Sequence, residues 1–300
     1  MQTRQNFEIN GIIGKSAMYY LQQSPEVAVW GNTSNGIFLQ SAQSKIVFLT
    51  SKPHLGPVNI ILKQDKPIHW NIGDTIQLNV GEKSIIFRGK NNSLTILIDE
   101  VWQTTNKPRK NIPQTDQLKI LNQAAKQLSL LKNEQGFSSL LIPFVTNDMS
   151  FESQDAWVQK SWEIIMNLKK GLLQKNLSTI LDQASNLIGS GRGLTPSGDD
   201  LLTGLFFMKK RWFEENEWIN SLESDLVDQF NHQTTAVSTT LFECALQGEA
   251  DARIQEMSDV LMNADIPFSN QAINLARWGN SSGADVFLGM LLAIQCFQSE

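Results

Sequence analysis

Gly189-Ser-Gly-Arg-Gly-Leu-Thr-Pro-Ser-Gly-Asp-Asp-Leu-Leu-Thr-Gly204 is the most distinctive stretch of this 300-residue chain. Four glycines lie within its first ten residues and allow a backbone of positive φ that approaches a ligand closely. The Thr-Pro-Ser at 195–197 combines N-cap hydroxyls with a helix-starting proline. Asp199 and Asp200 then begin an apolar run. The stretch therefore predicts a glycine-rich loop that leads into the N-terminus of a buried helix.

Anion binding is the chemistry expected at this loop, because amide N–H groups and the positive end of a helix dipole point at one place. Asp199 and Asp200 can take a proton, bond a polar substrate or hold Mg²⁺, with Asp200 the candidate metal ligand. The guanidinium of Arg192 either binds a carboxylate or phosphate with two hydrogen bonds or points into water. The candidate anion-binding residues here are Gly191, Arg192, Gly193, Thr195, Ser197 and Gly198.

The loop matches neither of the two common phosphate-binding motifs. A dinucleotide fingerprint follows a strand, whereas residues 178–187, just before this loop, are predicted to be helical. A P-loop ends in Gly-Lys-Ser/Thr, and here Gly198 is followed by Asp199. The loop is therefore a different type of anion site.

A second copy of the motif begins the last helix of the chain. Ser282-Gly283-Ala-Asp285, followed by Gly289, repeats the pattern Ser-Gly-x-Asp-x-x-x-Gly at a spacing of 85 residues. Glycine inside a helix costs roughly 1 kcal/mol relative to alanine, so something should offset that cost. We expect the two helices to cross at these glycines and to bring Asp200 and Asp285 together. Asp285 is thus the third candidate catalytic residue, and Ser282 and Gly283 are further anion-binding candidates.

An alternative explanation of each motif copy is purely structural. Asp in the first turn of a helix ordinarily stabilises the helix dipole, and Ser-Gly is an ordinary cap and turn. Asp199 in particular fits a capping role. Thr234-Thr235 with Ser238 predicts another capped helix start, and Thr235 is a candidate for lining the same pocket.

The first hundred residues are rich in short β-type runs separated by turn residues, which predicts a small barrel or sandwich. A short helix is expected at Lys15–Gln22, before all of them. The expected strands are Val27–Trp30, Gly36–Leu39, Lys45–Leu49, Val58–Leu62, Thr75–Val80, Ser84–Arg88 and Leu94–Ile98.

The remainder of the chain has helical periodicity, so the expected class is α+β. We expect a β-rich domain over 1–105, a linker over 106–115 and an α-helical domain over 116–300. Residues 134–146 are expected to break the helical pattern. Helices are predicted at 116–133, 154–170, 178–187, 215–232, 235–246, 251–263, 268–278 and 284–297.

Composition excludes several classes of function. The net charge is −5, and the basic clusters are limited to 169–170 and 209–211, which argues against nucleic-acid binding. Cys244 and Cys296 are isolated among apolar residues and indicate reduced core thiols. No apolar stretch approaches the ~20 residues of a membrane span, and the N-terminus lacks an apolar signal core. We expect a cytoplasmic protein.

The motif Gly-Leu-Thr-Pro-Ser-Gly-Asp-Asp at 193–200 resembles a bacterial family named for AllH, a subunit of oxamate carbamoyltransferase. Three other features agree with the resemblance: Leu55-Gly56-Pro57, Thr234-Thr235 with Ser238, and Ser281-Ser282-Gly283-x-Asp285. The family commonly has Pro at the position of Arg192 and often an aromatic residue at the position of Ala284. These departures leave the substrate open.

The resemblance implies a subunit of an enzyme of allantoin and purine breakdown, which interconverts oxalurate plus phosphate with oxamate plus carbamoyl phosphate. Its implied partners are an FdrA-like (AllF) subunit and an AllG-like subunit. Two alternatives remain: an Mg²⁺-dependent hydrolase that uses Asp199, Asp200 and Asp285, and a non-catalytic assembly subunit. No certain cofactor is indicated, and Mg²⁺ is the candidate.

Overall fold

A computed structural model describes residues 5–65, 68–105, 107–110, 112–132, 135–263 and 268–298. The chain divides into two compact units, 1–104 and 105–300. The first is a closed β-barrel and the second is built of helices, which confirms the expected α+β class. No helix among the described residues combines the length and the apolar character that crossing a membrane requires.

Eight strands form the barrel in the order β1-β5-β4-β3-β2-β6-β7-β8, and β8 pairs in parallel with β1 to close it. Side chains alternate between the interior and the surface, as in β2, where Val27 and Val29 are buried. The strands are β1 Gln5–Gly14, β2 Glu26–Thr33, β3 Gly36–Ser41, β4 Ile46–Thr50, β5 Asn59–Leu62, β6 Thr75–Val80, β7 Ser84–Arg88 and β8 Asn92–Trp102.

Strand β1 is absent from the sequence prediction, although it closes the barrel by pairing with both β5 and β8. Ile9 and Ile13 are buried in it, and polar residues alternate with them. Gly11 allows the close approach of β5, because a Cβ there would lie 2.9 Å from the carbonyl oxygen of Ile61. The sequence does not predict β1 because six of its ten residues are polar or glycine and its partner strands are distant in sequence.

Helix α1 (Lys15–Gln22) has the predicted bounds and contacts β1, β4, β6 and β8. Its Ala17 and Leu21 are completely buried. The Ala17 amide donates a 2.8 Å hydrogen bond to the carbonyl of Pro57. The Leu55-Gly56-Pro57 segment therefore holds the first turn of α1 in the barrel unit.

Ten α-helices are described in the second unit, with α6 and α11 nearly completely buried at its centre. They are α2 Gln114–Lys132, α3 Leu141–Thr146, α4 Ala156–Leu173, α5 Leu177–Leu187, α6 Ser197–Trp212, α7 Glu223–Gln233, α8 Ala236–Leu246, α9 Ala252–Asn263, α10 Ser269–Ala276 and α11 Ser282–Phe297.

The structure corrects the predictions for residues 134–146 and 215–232. The break expected over 134–146 contains a 3-10 turn at Ser138–Leu140 and helix α3; residues 133 and 134 lie outside the described residues. Pro143 is compatible with this helix because it lies in the first turn, where its missing N–H has no helical partner to lose. The single helix expected over 215–232 begins as a 3-10 segment, Glu217–Leu222.

The described part of 106–115 lies within the second unit and is attached to it. The ammonium of Lys107 is 3.4 Å from the carboxylate of Asp259, and the Lys110 amide donates to the Asn263 side chain at 2.7 Å. Asp259 also forms a buried 2.6 Å ion pair with Arg211. A buried arginine needs such a partner. The contacts of Lys107 and Lys110 attach this part of the chain to α9.

Candidate functional site

Helices α6 and α11 cross at the two glycines of the repeat, as the sequence predicts. A Cβ on Gly204 would overlap the carbonyl oxygen of Val286, and a Cβ on Gly289 would overlap that of Leu201. Both would be closer than the 3.0 Å below which real Cβ contacts essentially never fall. The two backbones therefore touch, and this packing offsets the cost of glycine inside a helix.

The crossing has an internal two-fold character. Gly204 contacts Val286, the residue after Asp285, and Gly289 contacts Leu201, the residue after Asp200. The two glycines are equivalent positions of the repeat, 85 residues apart, and so are the two residues that they contact. The Ser-Gly steps behave alike as well. A Cβ on Gly198 would meet the carbonyl of Leu187, and a Cβ on Gly283 would meet that of Leu275. Each copy thus anchors its helix start on a helix that precedes it.

The glycine loop, residues 189–195, has positive φ at Gly189, Gly191 and Gly193, with values of 73°, 121° and 98°. It is closed by a 2.9 Å hydrogen bond from the Gly198 amide to the Ser190 carbonyl. Gly191, Arg192 and Gly193 are exposed at its tip. The loop therefore presents exposed glycine backbone and one guanidinium to a ligand.

The expected N-cap hydroxyls at 195–197 are not found. Pro196 is the N-cap residue of α6 and forms no side-chain cap, while Ser197 is the first helical residue and is buried. Thr195 instead pairs its hydroxyl with that of Ser282 at 3.1 Å. The restricted φ of Pro196 is compatible with the start of the helix. The Thr195 hydroxyl forms a hydrogen bond between the two copies of the repeat.

Asp199 is fully engaged with protein groups. One carboxylate oxygen accepts a 2.7 Å hydrogen bond from the Gly189 amide, and the other accepts from the Thr234 hydroxyl. Burial raises the pKa of Asp199, and these hydrogen bonds oppose the rise. The geometry gives this residue a role in shaping the glycine loop, and its partners Gly189 and Thr234 lie outside the first turn of α6 that a helix cap would bond.

Thr235 lies beside the loop as expected. It is the N-cap of α8, and its hydroxyl both accepts from the Ser238 amide and donates to the Leu194 carbonyl, the latter at 2.5 Å. The Ser238 hydroxyl reaches the same carbonyl at 3.4 Å. The start of α8 therefore holds the C-terminal part of the glycine loop.

Asp200 is 2% exposed and lies at the centre of the site. Burial and the nearby charge of Asp285 raise its pKa well above the ordinary value, while hydroxyls of Ser282 and Thr195 lower it in part. Its Oδ2 atom has no hydrogen-bond partner among the described residues. Burial and the neighbouring carboxyl therefore favour the protonated form of Asp200, which has a donor to offer a ligand.

Asp285, 0% exposed, is held from a different side. The amide of Phe137 donates to its Oδ1 at 2.6 Å. Gly136 has a φ of 58°, and a Cβ there would lie 2.5 Å from the same oxygen. The backbone at 136–137 thus covers this carboxyl, and Asp200 and Asp285 meet beneath separate loops.

The raised pKa of Asp200 predicts a particular pH dependence of stability. A carboxyl with a raised pKa in the folded state stabilises the fold below its ordinary pKa of about 3.9, and this stabilisation is lost as the pH rises through the raised value. Asp200→Asn removes the ionisation, so we expect the Tm advantage of the variant over wild type to grow by a few degrees as the pH rises from 5 to 9. Thermal unfolding of both proteins across this range measures it; parallel curves would contradict it.

No group of three or more His, Cys, Asp or Glu side chains suited to a metal occurs in the described ranges. Both carboxylate oxygens of Asp199 already accept hydrogen bonds from protein groups, one from the Gly189 amide and the other from the Thr234 hydroxyl. The three-aspartate metal site of the hydrolase alternative therefore gains no support from this geometry.

The sequence analysis does not predict a place at the site for Phe137 or Trp157. Both residues meet the motif only through tertiary packing, which leaves no local sequence signal.

Residues 187–294 match the model of the AllH family, described as oxamate carbamoyltransferase subunit AllH. The match includes both copies of the repeat and confirms the resemblance expected from the motif. No curated protein and no solved structure matches this chain.

Proposed function

We propose that this chain is a subunit of an oxamate carbamoyltransferase-like enzyme and that the glycine loop over Asp200 binds its small anionic substrate. The AllH family match includes both helix starts that build the site, which supports assigning that activity to them. The reaction is the interconversion of oxalurate plus phosphate with oxamate plus carbamoyl phosphate.

The observation that carries the proposal is a buried carboxyl of raised pKa beneath an exposed glycine loop. A neutral Asp200 does not repel an anion, whereas an ionised one would. The N-termini of α6 and α11 add partial positive charge. Arg192, exposed in the loop, is suited to two hydrogen bonds with a carboxylate or phosphate. Gly191, Gly193 and Gly198 would allow the substrate to approach the backbone.

Asp200 acts as the general acid in the proposed reaction. A phosphate oxygen forms a bond to the carbamoyl carbon of oxalurate, and the bond from that carbon to the oxamate nitrogen breaks. The departing nitrogen takes the proton of Asp200, and the proton released by phosphate replaces it. Since Asp200 is 2% exposed, the loop must shift for the substrate to reach it.

Reconstitution with the FdrA-like and AllG-like partner subunits tests this function. We expect carbamoyl phosphate to form from oxalurate and phosphate when all three subunits are present and to fall to background when this chain is omitted. Activity that is unchanged without this chain would contradict the proposal. Calorimetric titration of the isolated chain with oxamate tests the site separately from the assembly.

The non-catalytic alternative makes the opposite prediction for the site. If the repeat served only helix packing, an isosteric change at Asp200 would leave the reconstituted activity intact. The unpartnered Oδ2 of Asp200 favours the catalytic role, because a purely structural buried carboxyl is normally fully hydrogen-bonded.

A further inference from the structure

Trp157 connects the glycine loop to the second half of the site. Its indole Nε1 donates to the hydroxyl of Ser190 at 3.1 Å. Ser190 is the residue whose carbonyl closes the loop by accepting from the Gly198 amide at 2.9 Å. The indole therefore bonds the first residues of the loop, while the tip at residues 191–193 stays exposed.

The ring face of the same indole packs on Phe137, which belongs to the segment that covers Asp285. The rings of Trp157 and Phe137 are stacked, with centroids 5.2 Å apart and an angle of 11° between planes. Phe137 is 0% exposed, and its amide is the group that donates to Asp285. A continuous set of contacts thus runs from Asp285 through two aromatic rings to Ser190.

The start of α4 fixes the orientation of Trp157. Asp155 is the N-cap of this helix, and its carboxylate accepts from the amides of Trp157 and Val158 at 2.8 and 3.1 Å. A stacked ring on a capped helix start has little rotational freedom, so the direction of its N–H is set before any ligand binds.

We propose that Trp157 is a positioning residue that latches the glycine loop through Ser190 and couples it to Asp285 through Phe137. The inference rests on the proposed function only in naming the loop as the substrate-binding segment. The latch acts on the loop's position, and Asp200 remains the group that touches the substrate.

The rate of limited trypsin digestion after Arg192 measures how often the loop opens, because Arg192 lies at the exposed tip of the loop. Trp157→Phe keeps a ring for Phe137 to stack on and loses the N–H donor, and Ser190→Ala loses the acceptor. One net hydrogen bond corresponds to roughly a 3- to 10-fold change in loop opening, so each variant should be cut after Arg192 faster by about that factor. The double variant should be cut no faster than either single one.

Two further variants separate the latch from general destabilisation. Trp218→Phe is the matched control, because the indole of Trp218 bonds Asn216 and packs on Phe297 away from the loop; it should be cut at the wild-type rate. Ser190→Thr keeps a hydroxyl and should restore slow cleavage. Equal rates for Trp157→Phe and wild type, or multiplied effects in the double variant, would overturn the latch.

Added oxamate separates this inference from the proposed function. If the loop binds substrate, oxamate slows cleavage of wild type after Arg192, and Trp157→Phe needs a higher oxamate concentration for the same protection. If oxamate protects neither protein while the variants are still cut faster, the latch stands and the substrate assignment fails.

Discussion

Asp200→Asn should lower the kcat for carbamoyl phosphate formation in the reconstituted complex by about 10²- to 10³-fold. General acid catalysis contributes roughly 10²- to 10⁴-fold, and an amide of the same shape donates a hydrogen bond without giving up its proton. The substrate still meets the same loop and arginine, so we expect little change in KM. Initial rates at varied oxalurate concentrations separate the two parameters.

The matched control is Asp182→Asn, an exposed aspartate on α5 that should leave both parameters unchanged. Loss of activity through unfolding is distinguishable, because the Asn variant is expected to be more stable than wild type at neutral pH. A kcat for Asp200→Asn within threefold of wild type would favour the assembly-subunit alternative.

The crossing of α6 and α11 could be predicted from sequence because the repeat encodes it twice. A glycine four residues after each Asp lies on the same helix face as that Asp, and two costly glycines at one spacing indicate a close helix contact. From that contact the meeting of Asp200 and Asp285 follows. Their burial also follows, because both precede the most apolar helices of the chain.

The loops over the two carboxyls could not be predicted in the same way. The Phe137 amide on Asp285 and the Trp157 indole on Ser190 join residues 33 to 148 positions apart. A backbone amide carries no residue-type signal, and the stretch around Phe137 looked like a helix break because of Gly136 and Pro143. Strand β1 was missed for a related reason, since its pairing with β8 spans nearly the whole barrel unit.

Asp199 and Asp200 differ in their partners, although they are adjacent in one motif. Two adjacent aspartates are equivalent in composition, and the repeat favoured Asp200 only because Ala284 occupies the position equivalent to Asp199. The structure separates them by partners: Asp199 accepts from Gly189 and Thr234, and Asp200 keeps an unpartnered oxygen. Tertiary hydrogen bonds, which the sequence does not encode locally, make this difference between the two aspartates.

Gly289→Ala should destabilise the helical unit by about 3 kcal/mol or more, a loss of at least about 6–12 °C in Tm for a domain of this size. The added Cβ would overlap the Leu201 carbonyl and lie 2.8 Å from the Leu205 amide nitrogen, and both are backbone atoms that no rotamer change can move. Overpacking a core typically costs 1–3 kcal/mol, and here the whole buried helix must shift. The gain of about 1 kcal/mol in helix propensity does not compensate.

Thermal unfolding followed by circular dichroism measures this loss, with Gly81→Ala as the control. A Cβ at Gly81 would lie 3.5 Å from the Ser84 carbonyl, an ordinary contact, so that variant should stay within about 1 kcal/mol of wild type. Gly204→Ala should resemble Gly289→Ala, and the double variant should lose less than the sum, because the first methyl already separates the helices. Full additivity, or a wild-type Tm for Gly289→Ala, would mean that these glycines do not set the distance between α6 and α11, and the expected closeness of Asp200 and Asp285 would lose its physical cause.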